Sequence, residues 1–188
     1  MEIINIRSEE GKLYEKPLYE LYERSFPEAE KKSVSMMKRM EAQGKLEMLA
    51  LVEKGKFAGL IINMFSKKDV LLDYFAIEES VRGTGLGNRA IQEMLERFRD
   101  RKYILEIEAL NPKAENFPQR KWRKHFYLKN GVKETDVFAF VYGTDFELLT
   151  SDGKLTYEEY VSFLKEVLGP DIVTAGKIYP LEDPAKNN

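Results

Sequence analysis

Between the residues 82 and 87 the chain reads Arg82-Gly83-Thr84-Gly85-Leu86-Gly87, directly ahead of an amphipathic stretch. Glycines in such a place let backbone amides come close to a ligand, and the exposed N–H groups of a helix start favour a phosphate or pyrophosphate. Two other phosphate loops are excluded by their residues. A dinucleotide fingerprint begun at Gly83 needs glycine at position 88, where Asn88 stands, and a P-loop needs a Gly-Lys-Ser/Thr that does not occur. The reading without a ligand is a tight turn that packs the helix close to the strand before it. Three carboxylates fall on expected strands: Asp73, Glu106 and Glu108. The last two share a face by the two-residue period, about 6–7 Å apart, a spacing that would also suit paired-carboxylate glycoside hydrolysis. Nothing else supports that chemistry, and partnership with nearby Arg and Lys is the alternative for all three. Arg120-Lys121-Trp122-Arg123-Lys124 is the one run that could suggest nucleic acid, against a solvated face balanced by carboxylates or a role toward anionic phosphates. Residues 152–159 match the second half of a calcium loop, but its first ligand positions would be Leu148 and Thr150, so no calcium site is expected.

Elements able to position these residues can be read from periodicity. Residues 2–7 alternate as a first strand, Pro17 could open a helix carrying Leu18, Leu21 and Tyr22, and Ser33 could cap a second with Met36, Met37 and Met40 on its apolar face. Strands are expected at 46–52 and 56–65, joined through Glu53-Lys54-Gly55, and at 70–77, whose near-continuous apolar run implies burial on both faces. The stretch 86–98 is the clearest amphipathic helix. A strand at 103–110, a helix near 119–129, a hairpin of 137–142 with 146–150, and a helix opened by Thr156 and Glu159 follow; Gly169-Pro170 stops that helix, and PLEDPAKNN reads as a loose tail.

The chain has 188 residues, 43% of them hydrophobic, enough for one ordinary domain with a packed core. We expect that domain over 1–150, with a C-terminal helix and tail at 151–188 packed on it. The 30 basic and 32 acidic side chains leave a formal charge of -2, which removes any global electrostatic case for nucleic acid or an anionic membrane. Without cysteine there is no thiolate nucleophile, and one histidine cannot build a His-rich metal site, so no metal is expected. The start MEIINIRSEE lacks a signal-peptide pattern and no apolar run approaches the roughly 20 residues of a membrane span, which predicts a cytoplasmic protein.

The Arg82–Gly87 segment, with LLDYFAI before it, the helix after it, YILEIEAL and HFYLKNGV, resembles the GCN5-related N-acetyltransferase (GNAT) superfamily of small bacterial type, strongly over about 69–132. The resemblance implies a mixed, splayed central sheet of about six or seven strands flanked by helices, here with a C-terminal helical extension. It implies acetyl-coenzyme A as acyl donor, with its pyrophosphate on the amides of 83–88 and its pantetheine arm lying strand-like along Phe75, Ala76 and Ile77. The cofactor-binding set is then Phe75, Ala76, Ile77, Arg82, Gly83, Thr84, Gly85, Leu86, Gly87 and Asn88. It also places a general acid at Tyr127, since acyl transfer expels a thiolate that needs a proton. Many members carry asparagine and alanine seven and four residues before that tyrosine, where this chain has Arg120 and Arg123. An attacking amine must lose a proton, which makes Asp73, Glu106 and Glu108 candidate bases. His125 is set aside, because residues two apart on a helix point roughly 200° apart and Tyr127 would face the other way. The expected activity is direct acetyl transfer to an amine of a small molecule, peptide or protein, with no acyl-enzyme. The alternative is a non-catalytic acyl-coenzyme A sensor or interaction module. The 150–188 extension could cover the sheet edge or form the subunit contact of a homodimer, and the first helices and the 136–150 hairpin would meet the acceptor.

Overall fold

The computed structural model describes residues 1–175 and 177–184. Its strands are β1 (Glu2–Asn5), β2 (Leu46–Glu53), β3 (Lys56–Phe65), β4 (Val70–Ile77), β5 (Tyr103–Glu108), β6 (Lys133–Val141), β7 (Thr144–Thr150) and β8 (Tyr179–Leu181). Its helices are α1 (Glu15–Ser25), α2 (Val34–Ala42), α3 (Leu86–Arg97), α4 (Phe117–Lys129), α5 (Tyr157–Leu168) and α6 (Pro170–Ala175). The residues form two compact α/β units, one of 1–65 with 71–93 and one of 66–70 with Met94 onward.

In the first unit the strands lie in the order β1-β2-β3-β4. The β2–β3 hairpin closes through Lys54 and Gly55, both at positive φ, as a two-residue turn whose twist matches that of the strands it joins. Leu46–Val52 and Ala58–Met64 are buried almost without a break, so both faces of this part of the sheet are covered. Helix α1 contributes Leu18, Leu21 and Tyr22, the i, i+3, i+4 stripe read from the sequence, all at most 1% exposed. It starts at Glu15 rather than at Pro17, which the first turn tolerates because its N–H groups have no intrahelical acceptor. Ser33 caps α2, its Oγ accepting from Met36 N at 3.2 Å, and Met37 and Met40 enter the core.

Gly59 on β3 fixes how closely β4 can approach. A Cβ added there would lie 2.6 Å from the carbonyl oxygen of Ala76 and 3.0 Å from Ile77 Cδ1. Gly59→Ala must therefore push β4 away from β3 just where Phe75–Ile77 run. We expect a loss of about 1–3 kcal/mol, typical of overpacking, readable as a lower urea midpoint at unchanged slope. Wild-type stability in that variant would mean β4 can shift freely.

In the second unit the strands lie in the order β5-β7-β6-β8, and each of these pairings is antiparallel. The β6–β7 hairpin is longer than its sequence pattern suggested, because an irregularity between Glu134 and Val137, with Asp136 at φ 58°, breaks the apolar alternation without ending the strand. Helix α5 opens with the expected reciprocal cap, Thr156 Oγ1 accepting from Glu159 N and Glu159 Oε2 accepting from Thr156 N. It buries Tyr160, Phe163, Leu164 and Val167, which packs the C-terminal extension into this unit. Two readings of the C-terminus change. Pro170, which stops α5, also opens α6, since proline suits a first helical position. Part of PLEDPAKNN is strand: Tyr179–Leu181 pair with Phe138–Phe140, and the Tyr179 and Phe140 rings stack 4.6 Å apart. That added strand makes eight where six or seven were expected; residues 185–188 lie outside the described residues. No helix among the described residues is long and apolar enough to cross a membrane.

Candidate active site

After β4 a single helical turn, Glu79–Val81, leads into the glycine-rich loop. Gly83 and Gly85 stand at φ 77° and 81°, a region that side-chain-bearing residues rarely adopt. A Cβ at either position would meet nothing within 4 Å. Backbone conformation, and not close packing, is what requires glycine at both. The amides of Gly83, Gly85, Leu86 and Gly87 donate to no acceptor among the described residues. The α3 ladder begins beyond them, with Arg89 N donating to Gly85 O at 3.2 Å. Unpaired amides at the start of a twelve-residue helix add to its macrodipole and favour an anion. Thr84 Oγ1 donates to Val81 O at 2.8 Å and Arg82 Nε to Ile77 O at 3.2 Å, which pins the base of the loop. The Arg82 side chain stays 60% exposed, with Glu79 Oε1 3.8 Å from its Nη1. Asn88 is half-buried in the first turn of α3.

The strand ahead of this loop changes character along its length. Val70, Leu71 and Leu72 are buried, whereas Phe75, Ala76 and Ile77 are half-exposed. Asp73 shares a strand face with Phe75 and Ile77 by the two-residue period. Its carboxylate is 7% exposed and takes Lys32 Nζ at 2.8 Å on Oδ1, while Oδ2 is buried without a hydrogen-bond partner among the described residues. Burial pushes the carboxyl above its ordinary range, and the Lys32 ammonium opposes that shift without cancelling it. Lys32 is itself clamped. Its N–H is shared by the hydroxyls of Tyr22 at 2.8 Å and Tyr74 at 3.1 Å; Tyr22 donates back to Lys32 O, and Tyr74 to Glu30 O at 2.7 Å. Three side chains from α1 and β4 thus hold the segment before α2 in place. Sequence reasoning missed Lys32, which lies 41 residues from Asp73 in an unpatterned run of lysines.

The second unit holds the remaining candidates. Tyr127 is 8% exposed near the end of α4, and its hydroxyl has no hydrogen-bond partner among the described residues. Burial raises the phenol to about 12, with Arg123 pulling the other way. The helix end beneath it is fixed by its own cap, Val132 N donating to Tyr127 O at 3.2 Å and Gly131 N to Leu128 O at 3.1 Å. His125 is exposed while Tyr127 is buried, the divergence that helix geometry requires. Glu106 accepts from the Tyr160 hydroxyl. Glu108 is committed to three donors: Asn116 Nδ2 at 3.0 Å, Arg120 Nη2 at 3.0 Å and Arg123 Nη1 at 2.7 Å. Burial would raise its carboxyl, but Asn116, Arg123 and Arg120 outweigh that and hold it below its ordinary value. The arginines that stand where many acetyltransferases carry asparagine and alanine are therefore paired with Glu108. Lys124 bridges Glu134 at 2.6 Å and Glu147 at 2.7 Å, so much of the basic run is neutralised within its own unit.

Comparison with known proteins shows the family and the fold. The model of the Acetyltransferase (GNAT) family matches residues 15–122, more than half of the chain, taking in Asp73, Phe75–Ile77 and the whole glycine-rich loop and ending short of Tyr127. No curated sequence matches the chain. Among solved structures, a protein from Bacteroides thetaiotaomicron described as a GNAT-family acetyltransferase is similar at TM-score 0.70 and 23% identity, covering 90% of this chain and 99% of its own. An aminoglycoside 6'-N-acetyltransferase complexed with coenzyme A is similar at TM-score 0.61 and 17% identity, over 80% of this chain and 96% of its own. Arabidopsis thaliana Naa50 in complex with the bisubstrate analogue CoA-Ac-MVNAL is similar at TM-score 0.59 and 14% identity, over 79% and 96%. A family model matched from α1 through the glycine-rich loop, and a fold shared across nine-tenths of the residues, make this chain a member of the GNAT acetyltransferase family.

Proposed function

We propose that the chain is an N-acetyltransferase that moves an acetyl group from acetyl-coenzyme A directly to an amine, with the cytoplasm as its setting. The observation that carries this reading is the Gly83–Gly87 segment, whose amides at Gly83, Gly85, Leu86 and Gly87 meet no acceptor among the described residues and whose Gly83 and Gly85 are dictated by conformation. In this reading the amides of 83–88 hold the pyrophosphate, with the Arg82 guanidinium beside them, and Phe75, Ala76 and Ile77 carry the pantetheine arm. The amine nitrogen forms its bond to the acyl carbon as the carbon–sulfur bond breaks. Tyr127 supplies the proton to the departing sulfur, and a carboxylate takes the proton the amine loses. Asp73 suits that second task best, because its carboxyl is held above its ordinary value whereas Glu108 is held below; Glu106 is engaged by Tyr160. The relatives named above include one that acts on aminoglycosides and one bound to a peptide-like analogue, which supports an amine as acceptor.

The test is thermal unfolding with acetyl-coenzyme A, NADH or ATP, followed by coenzyme release with a panel of amines. At about 100 times its dissociation constant a ligand stabilises by about 2.7 kcal/mol, a shift of several degrees for a chain of this length. A shift confined to acetyl-coenzyme A, with amine-dependent release of free coenzyme, is expected. A shift with no turnover on any amine would identify a binding module instead. Gly85→Glu adds both a side chain where φ is 81° and a negative charge beside the unpaired amides. It should abolish the shift, since the site would lose its anion geometry, and it should also lower the basal melting temperature, because a side chain at that φ is strained even where the space is open. Retained binding in Gly85→Glu would remove the loop from the site.

A further inference from the structure

We infer that Lys32 is a self-acetylation site, with Asp73 as the base that frees its amine. The inference rests on the coenzyme reading above and uses only residues of the first unit. If the pyrophosphate lies on the loop that follows β4, the pantetheine arm must run back along Ile77, Ala76 and Phe75, toward the beginning of the strand. The acyl end then falls next to Phe75, one face-step from Asp73. Lys32 Nζ is already there, 2.8 Å from Asp73 Oδ1 and 5.2 Å from the centre of the Tyr74 ring. Tyr74 and Asp73 are successive residues whose side chains leave opposite faces of the strand, yet Lys32 contacts both. Its backbone is held beside β4 by the hydroxyls of Tyr22 and Tyr74.

The chemistry balances without another reactant. The Lys32 ammonium gives one proton to Asp73, and its nitrogen lone pair then attacks the thioester carbon. The carbon–nitrogen bond forms and the carbon–sulfur bond breaks, and the departing thiolate takes up the second proton, which the nitrogen sheds as it becomes an amide. The products are Nε-acetyl-Lys32 and free coenzyme A, and Asp73 returns its proton to solvent. A buried pair favours the first step, since burial destabilises both charges and narrows the gap to the neutral amine and acid. Acetylation would also remove the Lys32 charge that faces Asp73, so the modified chain would differ in its hold on the segment before α2.

The experiment is incubation of the full chain with acetyl-coenzyme A alone, with intact-mass and peptide analysis, alongside Lys32→Arg, Asp73→Asn and Gly85→Glu. Thermal unfolding of each variant checks its fold, and Lys32→Arg keeps the ion pair while removing the nucleophile. One acetyl group confined to Lys32 is expected, absent in Lys32→Arg and Gly85→Glu and formed roughly a hundredfold more slowly in Asp73→Asn. Acetyl groups spread over exposed lysines such as Lys12 and Lys121 at equal rates, or an unmodified Lys32 in a chain that acetylates added amines, would overturn the inference and leave the enzyme reading standing. No thermal shift with acetyl-coenzyme A would instead remove the enzyme reading itself.

Discussion

Tyr127→Phe should lower kcat by roughly 10²–10⁴-fold while leaving the affinity for acetyl-coenzyme A close to its original value. The substitution removes one hydroxyl from a side chain that is 8% exposed and keeps the ring against Phe126, 5.2 Å away. No hydrogen bond within the described residues is lost with it, so the fold should be unharmed or slightly more stable. A fall in kcat is then attributable to the missing proton. The protonation balance sharpens this expectation. A phenol raised to about 12 is a weaker acid than the thiol it would create, whose ordinary value is about 8.5. Transfer is uphill unless the amine gives up its own proton in the same event, which ties Tyr127 to a base. It also means that ionisation of Tyr127 removes no activity below about pH 11, so an alkaline limb at lower pH belongs to another group. The sign for stability follows the same shift. Because the folded value lies above the unfolded one of about 10, the contribution of the neutral phenol is complete below pH 10 and is lost as pH rises toward about 12. Unchanged kcat in Tyr127→Phe would take the residue out of the reaction.

The parts of this molecule that were legible in its sequence are those specified locally. Ser33, the Thr156 and Glu159 pair and the Lys54-Gly55 turn each act over two to four residues, and all stand where the pattern put them. The glycine-rich loop was legible for the same reason, since its backbone conformation is written in residue type. Alternation failed where a strand continued through an irregularity at Glu134–Val137, and at Tyr179–Leu181, where three residues become strand only because β6 offers an edge. The electrostatics were least legible of all. That Glu108 could pair with nearby basic residues was open from its sequence, but which ones was not: Arg120 and Arg123, 12 and 15 residues on, converge on it only in the fold. Asp73 and Lys32 have no common local pattern, and only the tertiary fold makes them a pair.

Removing the charge of Lys32 should produce a large stability change in the first unit. Lys32→Met keeps the length of the side chain and leaves the Asp73 carboxylate, 7% exposed, with a second oxygen that already lacks a partner. Breaking a buried pair from one side typically costs about 3–5 kcal/mol, because a desolvated charge is left uncompensated. Asp73 can escape part of that cost by taking up a proton, and this gives the defect a pH signature. Its carboxyl is raised above the unfolded value even with Lys32 present, by burial working against the ammonium, and loss of the ammonium must raise it further. A raised carboxyl stabilises the fold below the unfolded value of about 3.9 and loses that contribution as pH climbs through the folded value. The deficit of Lys32→Met should therefore be full at about pH 8 and shrink toward pH 4, measured by urea unfolding across that range. Asp73→Asn in the same chain removes the stranded charge, so the double variant should recover stability at about pH 8 and lose most of the pH dependence. A deficit that stays constant with pH, or a double variant no more stable than Lys32→Met, would show that Lys32 acts through its packing against Tyr74, 5.2 Å below its ammonium, and not through Asp73.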